Sequence, residues 1–264
     1  MLQQLHEIWR LRYFWSSLVK MDLQLRYRRS VLGVGWSLLN PIMMTVVFCV
    51  IFSNWHGNAN WRQDAPYFLC GIAIWEFLKG SILQGCQVFF RNEAYIRQCP
   101  LPMAIYPLRL ILGLAIHLAI SVTLVVFATA VLNPDLGGTP ITVMWSVLPS
   151  LFILLILAWA LAVVAAFVQV FFQDAQHLAE VIFQIFFFLT PIIYKKEMLI
   201  EKGVSWLATL NPAVLFFDLI RAPILTGEPP SMILFGAAVL LTTVVVGLAI
   251  GLLGWLEKQL IFHL

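Results

Sequence analysis

Among the residues able to do chemistry, the densest group is Arg26-Tyr27-Arg28-Arg29, which stands just before an uncharged run that continues past Pro41 to Phe52. Guanidinium groups beside a span-length apolar segment mark the cytoplasmic boundary of a membrane, where they meet anionic headgroups. Two opposite charges, Glu76 and Lys79, lie inside a second apolar run at i, i+3 spacing. On a helix that spacing lets them neutralise each other, while charges at membrane depth also mark substrate-facing positions, so both readings stand. Glu180 lies close enough to the edge of a span to stay hydrated, and His117 suits a packed or cavity-lining position. Phe183, Phe186, Phe187, Phe188 and Tyr194 share one stretch. Such rings either pack against lipid and neighbouring helices or line a pore in which sugar faces stack on them.

Familiar catalytic patterns are missing from the sequence. There is no GxxxxGK[ST] phosphate loop, and Gly33-Val34-Gly35-Trp36 lacks the third glycine of a dinucleotide fingerprint. No GxSxG or HExxH occurs. If ATP powers any work done here, its hydrolysis belongs to another chain. Cys49, Cys70, Cys86 and Cys99 show no CxxC spacing, and the five histidines are too dispersed to suggest metal ligation. Beyond the arginine cluster no basic stripe exists to hold nucleic acid.

These residues must be held by a bilayer protein. Of the 264 residues 61% are hydrophobic and 11% charged, with a mean hydropathy of +0.91. A soluble domain carries roughly a quarter charged residues, so the polar surface is too small to cover a water-soluble globule. The expected fold is an all-α integral membrane protein: an amphipathic interface segment in residues 1–30 and a six-span transmembrane domain in 31–264. In the first segment Leu11, Phe14, Trp15, Leu18 and Leu25 share a helical face, Arg12 and Lys20 lie off it, and Asp22 is a misfit on the apolar side. That segment reads as a juxtamembrane anchor, with or without a docking surface for a cytoplasmic partner. It lacks the apolar core of a cleavable signal, so the first span is expected to direct its own insertion.

The spans are expected at about 32–52, 67–90, 106–132, 149–172, 178–194 and 232–255. Each approaches the roughly 20 residues that cross a bilayer core. Arg109 is expected to snorkel from the start of the third, and Pro149 to begin the fourth. Residues 195–230 mix charges with apolar pieces too short to span, which suits re-entrant or interfacial helices. Gly247 and Gly251 form a GxxxG contact pattern, read mainly as packing within the chain. Six spans place both termini on one side, with Arg10, Arg12, Lys20, Arg26, Arg28, Arg29, Arg91, Arg97, Arg109 and Lys258. Arg62, Lys195, Lys196, Lys202 and Arg221 fall on the other, so the termini are expected in the cytoplasm.

The stretch Asp22-Leu-Gln-Leu-Arg-Tyr-Arg-Arg-Ser-Val-Leu-Gly-Val-Gly-Trp-Ser-Leu-Leu-Asn-Pro41 resembles the N-terminal signature of ABC-2-type permeases that export polysaccharides such as O-antigen and teichoic acid precursors. Arg91-Asn92-Glu93 with Arg97-Gln98-Cys99-Pro100, Gln173-Asp174, Thr190 to Tyr194, and Asn211-Pro212 with Arg221 resemble later pieces of that family in the same order. The resemblance implies a homodimeric channel in a bacterial inner membrane with two copies of a cytoplasmic ATPase. ATP-Mg bound in that partner, with no cofactor in this chain, would drive a lipid-linked glycan outward. It also implies an N-terminal helix along the membrane, short re-entrant helices in 195–225, and loops at Asn92, Glu93, Arg97 and Asp174 that receive the ATPase's motion. Arg26, Tyr27, Arg28 and Arg29 then serve lipid headgroups or the glycan's diphosphate, and Phe183, Phe187, Tyr194, Glu76 and Lys79 are candidate channel lining. Glu76 and Lys79 depart from the family, whose second span is usually uncharged around the aromatic that Trp75 matches. Rival readings are a membrane enzyme acting on lipid-linked sugars, a secondary transporter, or an exporter of another lipid or drug. Against the enzyme, Glu76, His117 and Glu180 are expected at different depths.

Overall fold

The computed structural model describes residues 10–28, 30, 33, 35–55, 61–98, 101–133 and 141–263. Among them every regular element is helical. Four helices are long and apolar enough to cross a membrane: α3 (Trp61–Cys86), α6 (Ile105–Leu132), α8 (Val147–Phe171) and the stretch Met232–Glu257 of α13 (Met232–His263). Two shorter apolar helices, Gly35–Ile51 within α2 (Gly35–Trp55) and α9 (Ala175–Leu189), coincide with the other two expected spans. The amphipathic α1 (Arg12–Tyr27) lies against α6.

α3 and α8 form the centre. Phe68, Ile72, Ile74, Trp75 and Leu78 of α3 pack with Leu154, Leu157 and Ala158 of α8 and with Leu114, Leu118 and Val125 of α6. A second cluster joins Phe89, Met103, Phe167, Leu253 and Leu260 at one end of the bundle. Close approach of α3 to α8 depends on Gly85, where a Cβ would stand 2.9 Å from the Ala162 Cα. Backbone cannot yield as a side chain does, so Gly85→Val is expected to lower stability by about 1–3 kcal/mol through overpacking. Thermal unfolding in nanodiscs checks this, and an unchanged midpoint would show that the two helices part freely.

Helix boundaries depart from the expected spans for identifiable reasons. α3 begins at Trp61, six residues before the expected 67, and carries Pro66 inside. The ring leaves the Arg62 carbonyl without its intrahelical donor, and the Asn133 amide supplies one at 3.0 Å. The polar turn expected at 91–102 is in part helical: α4 (Val88–Arg91) and α5 (Glu93–Gln98) follow a break at Gln87. The fourth span starts at Val147 rather than Pro149, after the short α7 (Ile141–Met144). Proline lies within the first turn of α8, where no N–H is needed. α9 stops at Leu189, five residues early, because Thr190 is extended before Pro191.

Residues 195–230 form α10 (Lys196–Glu201), α11 (Trp206–Leu210), α12 (Pro212–Arg221) and a π-helical turn at Ala222–Thr226 that ends on Gly227 at φ 69°. Only glycine enters that left-handed region freely. Asn211 caps α12 through its side-chain oxygen, which accepts from Ala213 N at 3.0 Å. The GxxxG reading is corrected: a Cβ at Gly247 or Gly251 would meet nothing within 4 Å among the described residues, so none of these packs on this face.

Candidate functional site

At one end of the bundle, Arg109 joins three elements. Its Nε donates to Asp22 Oδ2 at 2.5 Å, its Nη2 to Asp22 Oδ1, and its Nη1 to Asn92 Oδ1 at 3.3 Å. A fork-to-fork pair of this kind fixes orientation as well as charge. The Arg109 side chain is 11% exposed, which corrects the expectation that it snorkels free. The misfit of Asp22 on an apolar face has the same explanation: its partner lies on α6. Asn92 also donates to Val88 O at 2.7 Å, tying α4 to the same junction.

Beside it runs a chain of amides. Gln87 Nε2 donates to Gln176 Oε1 at 2.5 Å, and Gln176 Nε2 to Glu180 Oε1 at 2.9 Å. Buried Gln169 accepts from Gln176 N at 2.8 Å and donates to Gln173 O at 2.5 Å. The segment 87–92 is thereby fastened to the turn between α8 and α9. Glu257 of α13 accepts from Met103 N at 3.0 Å, and Trp159 Nε1 donates to Ala104 O at 3.3 Å. Sequence reasoning named Asn92 and Asp174 here and missed Gln87, Gln169, Gln176 and Glu257. The available signal was amide side chains recurring at the ends of apolar runs.

Of the other loop residues, Glu93 and Arg97 pair with each other at 2.8 Å. Asp174 is exposed at the start of α9, and its side chain makes no cap there. Arg26 and Tyr27 fall in the last turn of α1, their side chains outside the described set; Arg28 is exposed at its end, and Arg29 lies outside the described residues.

At the opposite end stands Arg221, counted from sequence among the cations of the side away from the termini. Its exposure is only 5%. Its Nη1 donates to Pro191 O at 2.7 Å, and its Nη2 to Ile192 O at 3.1 Å and Tyr67 O at 3.4 Å. The guanidinium lies 3.8 Å over the Tyr67 ring and 5.1 Å from that of Phe217. Its Nε has no acceptor among the described residues. Space for it exists because position 71 is glycine, where a Cβ would collide with Nη2. Tyr67 OH donates to Pro191 O and Tyr194 O, and Asn211 Nδ2 to Thr190 Oγ1 at 2.7 Å. Two ion pairs, Lys195–Asp64 at 3.1 Å and Lys196–Asp218 at 2.5 Å, border this segment.

Between the two ends, the aromatics of α9 meet α2 and α3. Trp75 lies 5.3 Å from Phe183 and 5.8 Å from Phe187, and Phe48 lies 6.2 Å from Phe187. Phe186 and Phe188 point away and are exposed, and Tyr194 OH donates back to Phe188 O at 3.0 Å. Glu76 and Lys79 stand 3.9 Å apart, 44% and 40% exposed. Contrary to the expected difference in depth, Glu76 and His117 line one cavity, while Glu180 belongs to the amide chain at the Arg109 end. Among the described residues no cluster of three His, Cys, Asp or Glu could hold a metal.

The chain belongs to the ABC-2 type transporter family, which matches residues 13–225. It is an integral membrane protein of a transporter. It is similar to the O-antigen export system permease protein RfbA of Klebsiella pneumoniae, 26% identical over 200 residues and 72% of each chain. The protein of the same name in Myxococcus xanthus is 26% identical over 222 residues, 81% of each chain.

Proposed function

We propose that this chain is the permease subunit of an ABC exporter that carries lipid-linked polysaccharide of the O-antigen class outward across a bacterial inner membrane. The names of both relatives support the cargo, and the apolar helices support the crossing. Six helices cross, the two shorter ones included, and residues 196–226 re-enter from the outer face. Both termini and the Arg109 end face the cytoplasm, in keeping with the excess of lysine and arginine there. Two copies of a separate ATPase hydrolyse ATP-Mg, and a second copy of this chain completes the channel. Glu76, Lys79, Phe183, Phe187 and Tyr194 contribute to its wall.

The observation that carries this reading is the junction of Asp22, Arg109 and Asn92. It connects the interface helix, a long apolar helix and the α4–α5 loop, so motion delivered to the loop by an ATPase reaches the membrane surface. Asn92, Glu93, Arg97 and Asp174 are the loop positions assigned to that contact. In vesicles holding this chain with and without a candidate ATPase, glycan translocation is expected only with both partners and ATP. ATP-independent transport would overturn the proposal. One observation, Glu76 and His117 on a single cavity, favours a second reading as an enzyme on lipid-linked sugars; glycan turnover by this chain alone would establish it.

Arg26, Arg28 and Arg29, with Tyr27, hold the helix at anionic headgroups and meet the diphosphate of the cargo. Near-surface cations contribute about 1 kcal/mol each. Arg26→Ala with Arg29→Ala is therefore expected to reduce export more than membrane insertion, read as surface glycan against the amount of inserted protein. Normal surface glycan in that variant would remove the arginines from the mechanism.

A further inference from the structure

A cavity of about 270 Å³ opens between α2, α3 and α6, within their apolar stretches. Six polar side chains line it: Ser37 and Asn40 from α2, Glu76 and Gln84 from α3, His117 and Ser121 from α6. Three separate helices converge on it, and α6 is one of those long and apolar enough to cross a membrane. Polar groups are expensive at membrane depth and face either one another or a polar occupant. The set borders open volume with room for water or a ligand.

The lining restricts what that ligand is. Among the described residues no lysine or arginine borders the cavity, so it offers no fixed cation to a phosphate. Among the described residues Glu76 is its one carboxylate, and it stands beside Lys79, which balances its charge. A single carboxylate of this kind is a poor divalent-cation site. What remains is a neutral occupant with many hydroxyls: amides and serines both donate and accept, a carboxylate accepts from adjacent hydroxyls, and Trp36 adds an aromatic face.

A second cavity of about 440 Å³ adjoins the first and shares Gln84 with it. Arg91, Asn92 and Arg109 with its partner Asp22 line this one, toward the α1 end. Gly113 lines it too, and a Cβ there would meet nothing within 4 Å among the described residues. A polar compartment bordered by no lysine or arginine among the described residues thus adjoins one bearing guanidinium groups, along a single face of α6.

We infer that the Ser37–Asn40–Glu76–Gln84–His117–Ser121 cavity is a sugar-binding site, occupied by a sugar residue of the cargo while its phosphate lies toward Arg91. The inference rests on the exporter reading above and adds to it a position within one subunit where the glycan itself is recognised. The site selects for the sugar and leaves the lipid to the bilayer.

Binding to the purified permease in nanodiscs tests it with three probes: undecaprenyl diphosphate bearing one N-acetylglucosamine, bare undecaprenyl diphosphate, and free N-acetylglucosamine. The sugar-bearing lipid is expected to bind about tenfold tighter than the bare one, as one or two added hydrogen bonds to polar groups provide. Free sugar is expected to compete weakly. Asn40→Leu with Ser121→Val, which fills the cavity with apolar atoms, is expected to erase the tenfold difference and leave bare-lipid binding unchanged. Glu76→Gln, milder toward folding, is expected to narrow the difference in the same direction. If both lipids bind the wild type equally, or the variants keep the full preference, the sugar site is refuted while the exporter reading stands. If neither lipid binds the wild type, the exporter reading fails and the site with it.

Discussion

Replacing Arg221 with methionine is expected to destabilise the protein by about 2–4 kcal/mol, because a buried carbonyl left without its donor costs about 1–3 kcal/mol. The apolar stem is kept, but the Pro191 and Ile192 carbonyls lose their donor and the Tyr67 ring its cation. Arg221→Lys is expected to rescue little, because one ammonium cannot address two carbonyls and stack on a ring at once. Gly71→Ala should act in the same direction by pushing the guanidinium out of place. Thermal unfolding of the three variants in nanodiscs checks this, together with protease sensitivity of residues 190–226. A lysine variant as stable as the wild type would show that charge alone, without the fork, holds the segment.

The second large effect is expected at Asp22 and Arg109. Arg109 is mostly buried, whereas Asp22 is 45% exposed, so water screens part of the pair. Arg109→Ala is therefore expected to cost about 2–3 kcal/mol and Asp22→Ala about 1–2 kcal/mol, with the double variant well short of their sum. Under the proposed function the single variants also separate ATP hydrolysis from transport: the partner ATPase still turns over and glycan export falls. The exchange of charges, Asp22→Arg with Arg109→Asp, is expected to restore part of the export. Additive losses in stability and no recovery on exchange would show that the contact does not join the two helices.

Both residues show where the sequence was legible and where it was not. Apolar length is a local property, so the stretches that became α6, α8 and α13 could be read directly. The end of a helix is less local. α3 continues out through Arg62 and Asp64 because backbone hydrogen bonding persists past the apolar run, and an asparagine 71 positions away supplies the donor that Pro66 lacks. That earlier start and the earlier end at Cys86 move Glu76 toward the C-terminal part of its helix, level with His117 in the first half of α6. Depth counted from the ends of apolar runs had separated them.

Asp22 carried a signal that could be seen but not resolved. A carboxylate on an apolar face requires a cation, yet nothing local says that it is Arg109, 87 positions on. Arg221 gave no signal at all. It ends an amphipathic helix as a rim charge would, and its burial depends on a missing side chain at Gly71 and on carbonyls freed by Pro191. The glutamines at 87, 169 and 176 are similar: an amide at the end of an apolar run suits any loop, and only the fold brings the three together. The aromatic stretch of α9 was legible in kind, and the structure sorts its rings into those packed on Trp75 and those turned outward.

The segment held by Arg221 is fastened by two kinds of contact that answer differently to dissolved ions. At its root a buried guanidinium is bound to neutral carbonyl dipoles, out of reach of the counter-ion atmosphere. At its margin Lys195 and Lys196 meet Asp64 and Asp218 in partly exposed pairs that salt weakens. Rising ionic strength therefore frees the margin while the root stays closed. Residues 190–226 loosen from the outside inward, and the hold of Arg221 on Tyr67 of α3 is the last part to let go.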